Sequence, residues 1–178
     1  MKFNTVAIVG YKHGIGKELH THYLSTEKII EVYDTEYNFD NTFIETLIET
    51  SKKIEVFINN LPLGELQLVI TKKWFEANQD RQAIMIILNS IDYHDYLDTN
   101  PTPEIQQYTK NKLNLSCEVF EMVKLRKKCK LLIVAPGPAL ADKDNSELKK
   151  KLRGPNTLIN KTEIISLIDW AVESYEQE

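Results

Sequence analysis

Tyr108 and Lys112 stand four residues apart in a stretch of helical spacing, so both side chains leave the same face. An ammonium beside a phenol stabilises the phenolate and brings the proton affinity of the tyrosine down towards neutrality. Such a tyrosine can give a proton to a developing alkoxide, or take one from an alcohol, near pH 7. The lysine can also hold the ribose of a cofactor. Ser90, just past the apolar run Ala83 to Leu88, can hydrogen-bond a substrate oxygen and orient it. In a chain with eight tyrosines, about one Tyr-x-x-x-Lys is expected by accident, and a surface helix pair is the competing reading.

These groups need a ligand brought to them, and Val6 to Leu19 is built to grip one. Val6-Ala7-Ile8-Val9 reads as a strand buried on both faces. Gly10, Gly14 and Gly16 let the backbone turn sharply and approach a ligand with no Cβ in the way. Ile15, Leu19 and Tyr23 follow at helical spacing, so a helix opens inside the glycine turn. Its free N–H groups and partial positive charge suit a phosphate or pyrophosphate. A P-loop is excluded: five residues, not four, separate Gly10 from Gly16-Lys17, and Glu18 stands where a magnesium-binding hydroxyl belongs. The pattern is G-x-x-x-G-x-G, and an ordinary strand-to-helix turn is the alternative reading.

The second strand, Ile29 to Tyr33, ends at Asp34, 24 residues past Gly10. A carboxylate there can accept both ribose hydroxyls of an adenosine and would repel a 2′-phosphate, which favours NAD over NADP. Position alone also fits an exposed loop aspartate. Lys12 and His13 pull the other way, because a basic group in the glycine turn can neutralise a 2′-phosphate.

The 178 residues suffice for one domain with a full core, spanning 1–178. A net charge of −4 gives no electrostatic case for nucleic acid or an anionic membrane surface. No apolar run approaches a membrane span, and Met1-Lys2-Phe3-Asn4 does not read as a signal peptide. Cys117 and Cys129 have neither metal-binding spacing nor the density of a secreted scaffold. The expectation is a cytoplasmic protein with reduced thiols and no metal.

Further strands are expected at Ile54 to Ile58, Ala83 to Leu88 and Lys130 to Val134. Helices are expected after a Thr42/Glu45 capping box, over about Leu66 to Ala77, from Pro103 to about Lys127, and from Thr162. Alternating strands and helices predict a three-layer, doubly wound parallel sheet of about five strands in the order 2-1-3-4-5. Ligands then gather at the carboxyl ends of the strands, where Gly10 to Gly16, Asn59-Asn60, Ser90 and Pro136-Gly137 all fall. The polar stretch 139–161 reads as a mobile substrate lid or as a solvated loop with a short helix.

Taken in order, Gly10-x-x-x-Gly14-Ile15-Gly16, Asp34, Asn59-Asn60, Ser90, Tyr108-x-x-x-Lys112 and Pro136-Gly137-Pro138 resemble the short-chain dehydrogenase/reductase (SDR) family over nearly the whole chain. The resemblance implies a Rossmann-type domain binding NAD or NADP. It implies Tyr108 as acid/base, Lys112 as its electrostatic partner and ribose ligand, and Ser90 as ligand of the substrate oxygen. The glycine turn would take the pyrophosphate, and Asn59 would lie along the cofactor. The chain departs from the family pattern at Val9, Leu61 and Ala141, and shows no match for a catalytic asparagine. The expected function is hydride transfer between a nicotinamide and a small carbonyl or alcohol. The alternative is a non-catalytic NAD(P)-binding sensor or partner protein on the same scaffold. A flavodoxin-like flavin protein shares the strand order but leaves Tyr108 and Lys112 unexplained. The long helix carries one apolar row through Leu113, Cys117 and Phe120 and another through Leu115, Val119 and Met122. Two such faces predict self-association, as a homodimer or homotetramer.

Overall fold

Short β-branched runs ending at polar or glycine-bearing turns form the sheet, and the helical runs between them cover it. The computed structural model describes residues 3–26, 28–33, 39–62, 64–89, 103–136 and 161–176. In chain order the elements are β1 (Thr5–Val9), α1 (Gly14–Ser25), β2 (Ile29–Tyr33), α2 (Asn41–Ser51), β3 (Val56–Asn59), α3 (Gly64–Asn78), β4 (Ile84–Leu88), α4 (Pro103–Leu125), β5 (Lys130–Val134) and α5 (Lys161–Glu176). The five strands are parallel in the order β2-β1-β3-β4-β5. This is the doubly wound α/β sheet that the pattern predicts.

Period-2 alternation assigns the two faces. Val6 and Ile8 of β1 pack with Leu19 and Tyr23 of α1 and with Ile164, Ile168 and Val172 of α5. Ala7 and Val9 join Leu47 of α2, Ile70 and Trp74 of α3, and Leu115 and Val119 of α4 on the other face. β4 divides the same way, Ile84, Ile86 and Leu88 to one side and Met85 and Ile87 to the other. Burial on both faces is why these strands read as unbroken apolar runs. On the first face Tyr23 Oη donates to Asp169 Oδ1 at 3.2 Å, and His22 Nε2 lies 2.7 Å from Asp169 Oδ2, fastening α1 to α5.

The expected capping box on α2 is not the one formed. Asp40 is the cap: its Oδ1 accepts from Phe43 N at 2.8 Å, so the helix begins at Asn41, one residue before Thr42. A charged carboxylate at the helix start is the stronger acceptor, and Thr42 falls inside the first turn. α4 carries its two apolar rows as expected. Leu115, Val119 and Met122 are buried on the sheet, while Leu113, Cys117 and Phe120 are exposed.

Strand register sets the level of the turns. Val9 sits beside Tyr33 on one side and Asn59 on the other, and Asn59 beside Ile87. Gly10, Asn60 and Asn89 therefore emerge together at the carboxyl edge, where the chain leaves β1 in one direction and β3 in the other. Gly10 (φ +83°) donates its N–H to Tyr33 O at 2.7 Å, and Asn60 N donates to Val9 O at 2.9 Å. A Cβ on Gly16 would collide with Gly10 O and lie 2.6 Å from Asn60 Nδ2. Gly14 has a positive φ of +54° but open space around it.

The two glycines therefore differ in what they tolerate. Gly16→Ala should lower the unfolding free energy by about 3 kcal/mol or more, because backbone must move. Gly14→Ala should cost only about 1 kcal/mol, the strain of a left-handed alanine. Urea denaturation of the two variants checks the order, and equal costs would contradict it.

Candidate functional site

A cavity of about 300 Å3 opens at the carboxyl edge of the sheet. Its walls come from four elements. The glycine turn contributes Gly10, His13, Gly14 and Ile15; the turn after β3 contributes Asn60, Leu61 and Pro62. The end of β4 contributes Leu88 and Asn89, and α4 contributes Tyr108 and Lys112. Residues up to 102 positions apart in the chain, Gly10 and Lys112, thus line one space.

The glycine wall has the character of an anion site. His13 is the residue before α1 and makes no side-chain capping bond, and the first turn of α1 holds no acidic residue. The first amides of the helix, with the positive end of its dipole, face this end of the sheet. Asn60 Nδ2 donates to Gly10 O at 2.8 Å and so fixes the turn. Gly16 lies buried behind the turn rather than on the wall, and Lys12 is half-buried and off the wall.

The opposite wall holds Tyr108, half-buried, and Lys112, only 2% exposed. Lys112 Nζ lies 5.5 Å from the centroid of the Tyr108 ring. It donates to Gln67 Oε1 at 2.6 Å and, at the long distance of 3.5 Å, to Leu61 O. Burial pushes the Lys112 ammonium down to about 8. Asn89, buried, donates from Nδ2 to Ser116 Oγ at 2.8 Å and to Lys112 O at 3.2 Å, bolting the end of β4 to α4.

Besides Lys12 and Gly16, two more expected site residues lie elsewhere. Asn59 does not line the cavity. It is wholly buried, and its Nδ2 donates to Gln67 O at 3.0 Å and to Thr71 Oγ1 at 3.1 Å. Strand alternation sends its side chain to α3 while Asn60, the next residue, faces the glycine turn. Pro136 borders a separate apolar cavity of about 360 Å3 between β5 and α5, with Ile164, Leu167 and Trp170. Asp34, Ser90, Gly137, Ala141 and the stretch 139–160 of the expected lid fall outside the described residues. Gln67 and Asn89 went unpredicted. A signal for Gln67 exists: it shares the helical phase of Ile70, Thr71, Trp74 and Asn78, all buried. Among the described residues no group of three His, Cys, Asp or Glu is placed to hold a metal, and no helix is long and apolar enough to cross a membrane.

No family model matches the sequence, and no curated protein matches it. Solved structures do match. A short-chain dehydrogenase from Burkholderia cenocepacia in complex with NADP aligns over 96% of this chain and 85% of its own, at 14% identity and a TM-score of 0.60. The 3-alpha-hydroxysteroid dehydrogenase from a Pseudomonas species, complexed with NADH, aligns over 93% of this chain and 88% of its own, at 16% identity and a TM-score of 0.60. A short-chain dehydrogenase/reductase from Serratia marcescens aligns over 94% of this chain and 90% of its own, at 12% identity and a TM-score of 0.68. The chain shares the doubly wound, Rossmann-like α/β fold of these structures. That likeness, at these identities, is one of architecture. Within this fold, the cavity occupies the crevice where an open α/β sheet takes its ligand.

Lys112 makes the stability of this scaffold depend on pH. Its folded midpoint, about 8, lies below the ordinary 10.5. Between those values the unfolded chain binds a proton that the folded one does not, so stability rises with pH across the window. The cost of the buried ammonium is present in full below about pH 8 and is gone above 10.5. Relative to Lys112→Met, the wild type should gain on the order of 3 kcal/mol across that window, at about 1.4 kcal/mol per unit. Urea unfolding of both proteins at pH values on either side of it checks this, and parallel pH profiles would contradict it.

Proposed function

We propose that the chain is an NAD(P)-dependent oxidoreductase of the SDR type, interconverting a small carbonyl and its alcohol. The observation that carries this reading is that Tyr108 and Lys112 share one cavity with the glycine turn. The fit to a dinucleotide rests on the glycine wall of the cavity, Gly10 to Ile15, and on the uncapped first turn of α1, whose N–H groups suit a phosphate. Neighbours of this fold hold NADP or NADH. When bound, the nicotinamide supplies or accepts the hydride.

The residues of the chain do the rest. The α1 amides and the glycine turn hold the pyrophosphate. Asp34 takes the adenosine ribose, which favours NAD, while Lys12 and His13 are the basic residues of the glycine turn that pull towards NADP. Tyr108 donates its phenolic proton to the substrate oxygen in reduction and takes it back in oxidation. Lys112 stabilises the phenolate and binds the nicotinamide ribose, and Ser90 orients the substrate oxygen. Asn60 keeps the turn in place through Gly10 O. The stretch 139–161 closes over the substrate, and the Pro136-Gly137 turn belongs to the cofactor side. We place the chain in the cytoplasm as one domain, with Cys117 and Cys129 unpaired.

A specific observation favours the alternative of a non-catalytic NAD(P)-binding sensor or partner subunit. Leu61, bulky and buried, stands on the cavity wall where the family pattern has a small residue. One experiment separates the two. A panel of carbonyls and alcohols is offered with NAD(H) and NADP(H) while absorbance of the reduced nicotinamide is followed. Tyr108→Phe should lower turnover about 10²–10⁴-fold, with cofactor affinity nearly unchanged. Full activity in that variant overturns the assignment of Tyr108. Cofactor binding with no turnover on any compound turns the reading to the sensor.

We also propose a homodimer or homotetramer formed through α4. Its outer row stays open to solvent, with Phe120 63% and Leu113 45% exposed. Light scattering at micromolar concentration should give a multiple of the chain mass, and Phe120→Asp should shift it to monomer. A monomeric wild type contradicts this.

A further inference from the structure

We propose that Gln67 is the positioning residue that holds the Lys112 ammonium in the cavity wall. What the ammonium is held to do rests on the oxidoreductase reading; the holding itself rests on side-chain geometry. Gln67 is wholly buried on α3, and each of its polar atoms is used. Nε2 donates to Asn59 O at 3.0 Å and to Leu88 O at 2.8 Å, the last carbonyls of β3 and β4. The amide therefore adds one rung where the ladder between those strands ends. Its two donors consumed, the group turns only Oε1 outward, and that oxygen accepts from Lys112 Nζ at 2.6 Å.

The orientation of this amide has one solution. Reversed, it would set N–H against an ammonium and a carbonyl oxygen against two carbonyl oxygens. The backbone of Gln67 is fixed too, since its carbonyl accepts from Asn59 Nδ2 at 3.0 Å and from Thr71 Oγ1 at 2.7 Å. Asn59 and Gln67 thus exchange two bonds. From the other direction Asn89 Nδ2 holds Lys112 O. The lysine is pinned at both ends, nitrogen by Gln67 and carbonyl by Asn89, and the end of β4 is common to both pins. The nitrogen stays 5.5 Å from the Tyr108 ring centroid, within reach of a ligand in the same cavity.

A packing role and a positioning role make different demands on residue 67. For packing, Met serves nearly as well as Gln, because it matches length and volume. For positioning, the acceptor facing Nζ decides. Losing it disfavours the ammonium, and making it anionic favours the ammonium. The test is an NMR titration of 13Cε-labelled lysine in the ligand-free full chain, as wild type, Gln67→Met and Gln67→Glu. The Lys112 signal is assigned by its loss in Lys112→Arg. The wild-type midpoint is expected near 8. Gln67→Met should lower it by about one pH unit and Gln67→Glu should raise it by about one unit or more. Midpoints that stay together, or move the same way, overturn the proposal.

Should both variants fail to fold, the wild type alone still decides. Both side-chain amide protons of Gln67 should exchange with solvent far more slowly than those of a surface glutamine, and ordinary exchange overturns the proposal. Calorimetric titration with NADH and NADPH completes the experiment. No cofactor binding with split midpoints removes the redox reading and leaves the hold on Lys112 standing. Cofactor binding with unsplit midpoints removes the Gln67 proposal alone.

Discussion

One close approach organises the carboxyl edge of the sheet: the start of α1 lies against the carbonyl of Gly10 with no room for a side-chain carbon. The same carbonyl accepts from Asn60 Nδ2, and the Gly10 N–H reaches across to Tyr33. Three segments, the exits of β1 and β3 and the opening of α1, are therefore locked together by contacts among backbone atoms and one amide. Backbone cannot rotate out of the way as a side chain can. The distance from α1 to the strand ends is thus set by covalent geometry rather than by a choice of rotamer. The cavity wall inherits that rigidity.

The end of β3 then serves two polar systems at once. Asn59 and Asn60 are chemically identical and adjacent, yet pleating sends them to opposite sides. Asn60 ties the glycine turn on the cavity wall. Asn59 ties α3, and through Gln67 it connects to the end of β4 and to Lys112. Both walls of the cavity are consequently referenced to the same strand. A displacement of β3 along its axis would shift both walls together, leaving their separation nearly unchanged.

Much of this was legible in the sequence, and the exceptions share a cause. Five apolar runs with polar ends sufficed for the strands and their order, because burial on both faces leaves few other residue types. The glycine spacing located the turn, and Tyr108-x-x-x-Lys112 located two residues that now share its cavity. What failed was the direction of single polar side chains. Asn59 was assigned to the ligand side because it stands at a strand end, yet its orientation depends on where the pleat stops. The cap on α2 moved from Thr42 to Asp40 because either fits the pattern and only the local path of the chain chooses. Gln67 was invisible as a functional group because its partners are main-chain carbonyls, and backbone positions leave no mark in residue identities.

A buried lysine beside a carboxamide also differs in kind from one beside a carboxylate. A carboxylate at that distance would pair with the ammonium and hold it charged, so its field would be cancelled before a ligand arrived. Oε1 of Gln67 is a dipole end: it fixes where Nζ sits but leaves the charge largely uncompensated. The cost appears as the depressed midpoint of Lys112, which burial alone explains. A neutral acceptor thus trades some stability of the empty protein for attraction toward any anionic or hydroxyl-rich partner that enters. On the oxidoreductase reading proposed above, a phenolate on Tyr108 would need that uncompensated charge, and a resident anion would remove it.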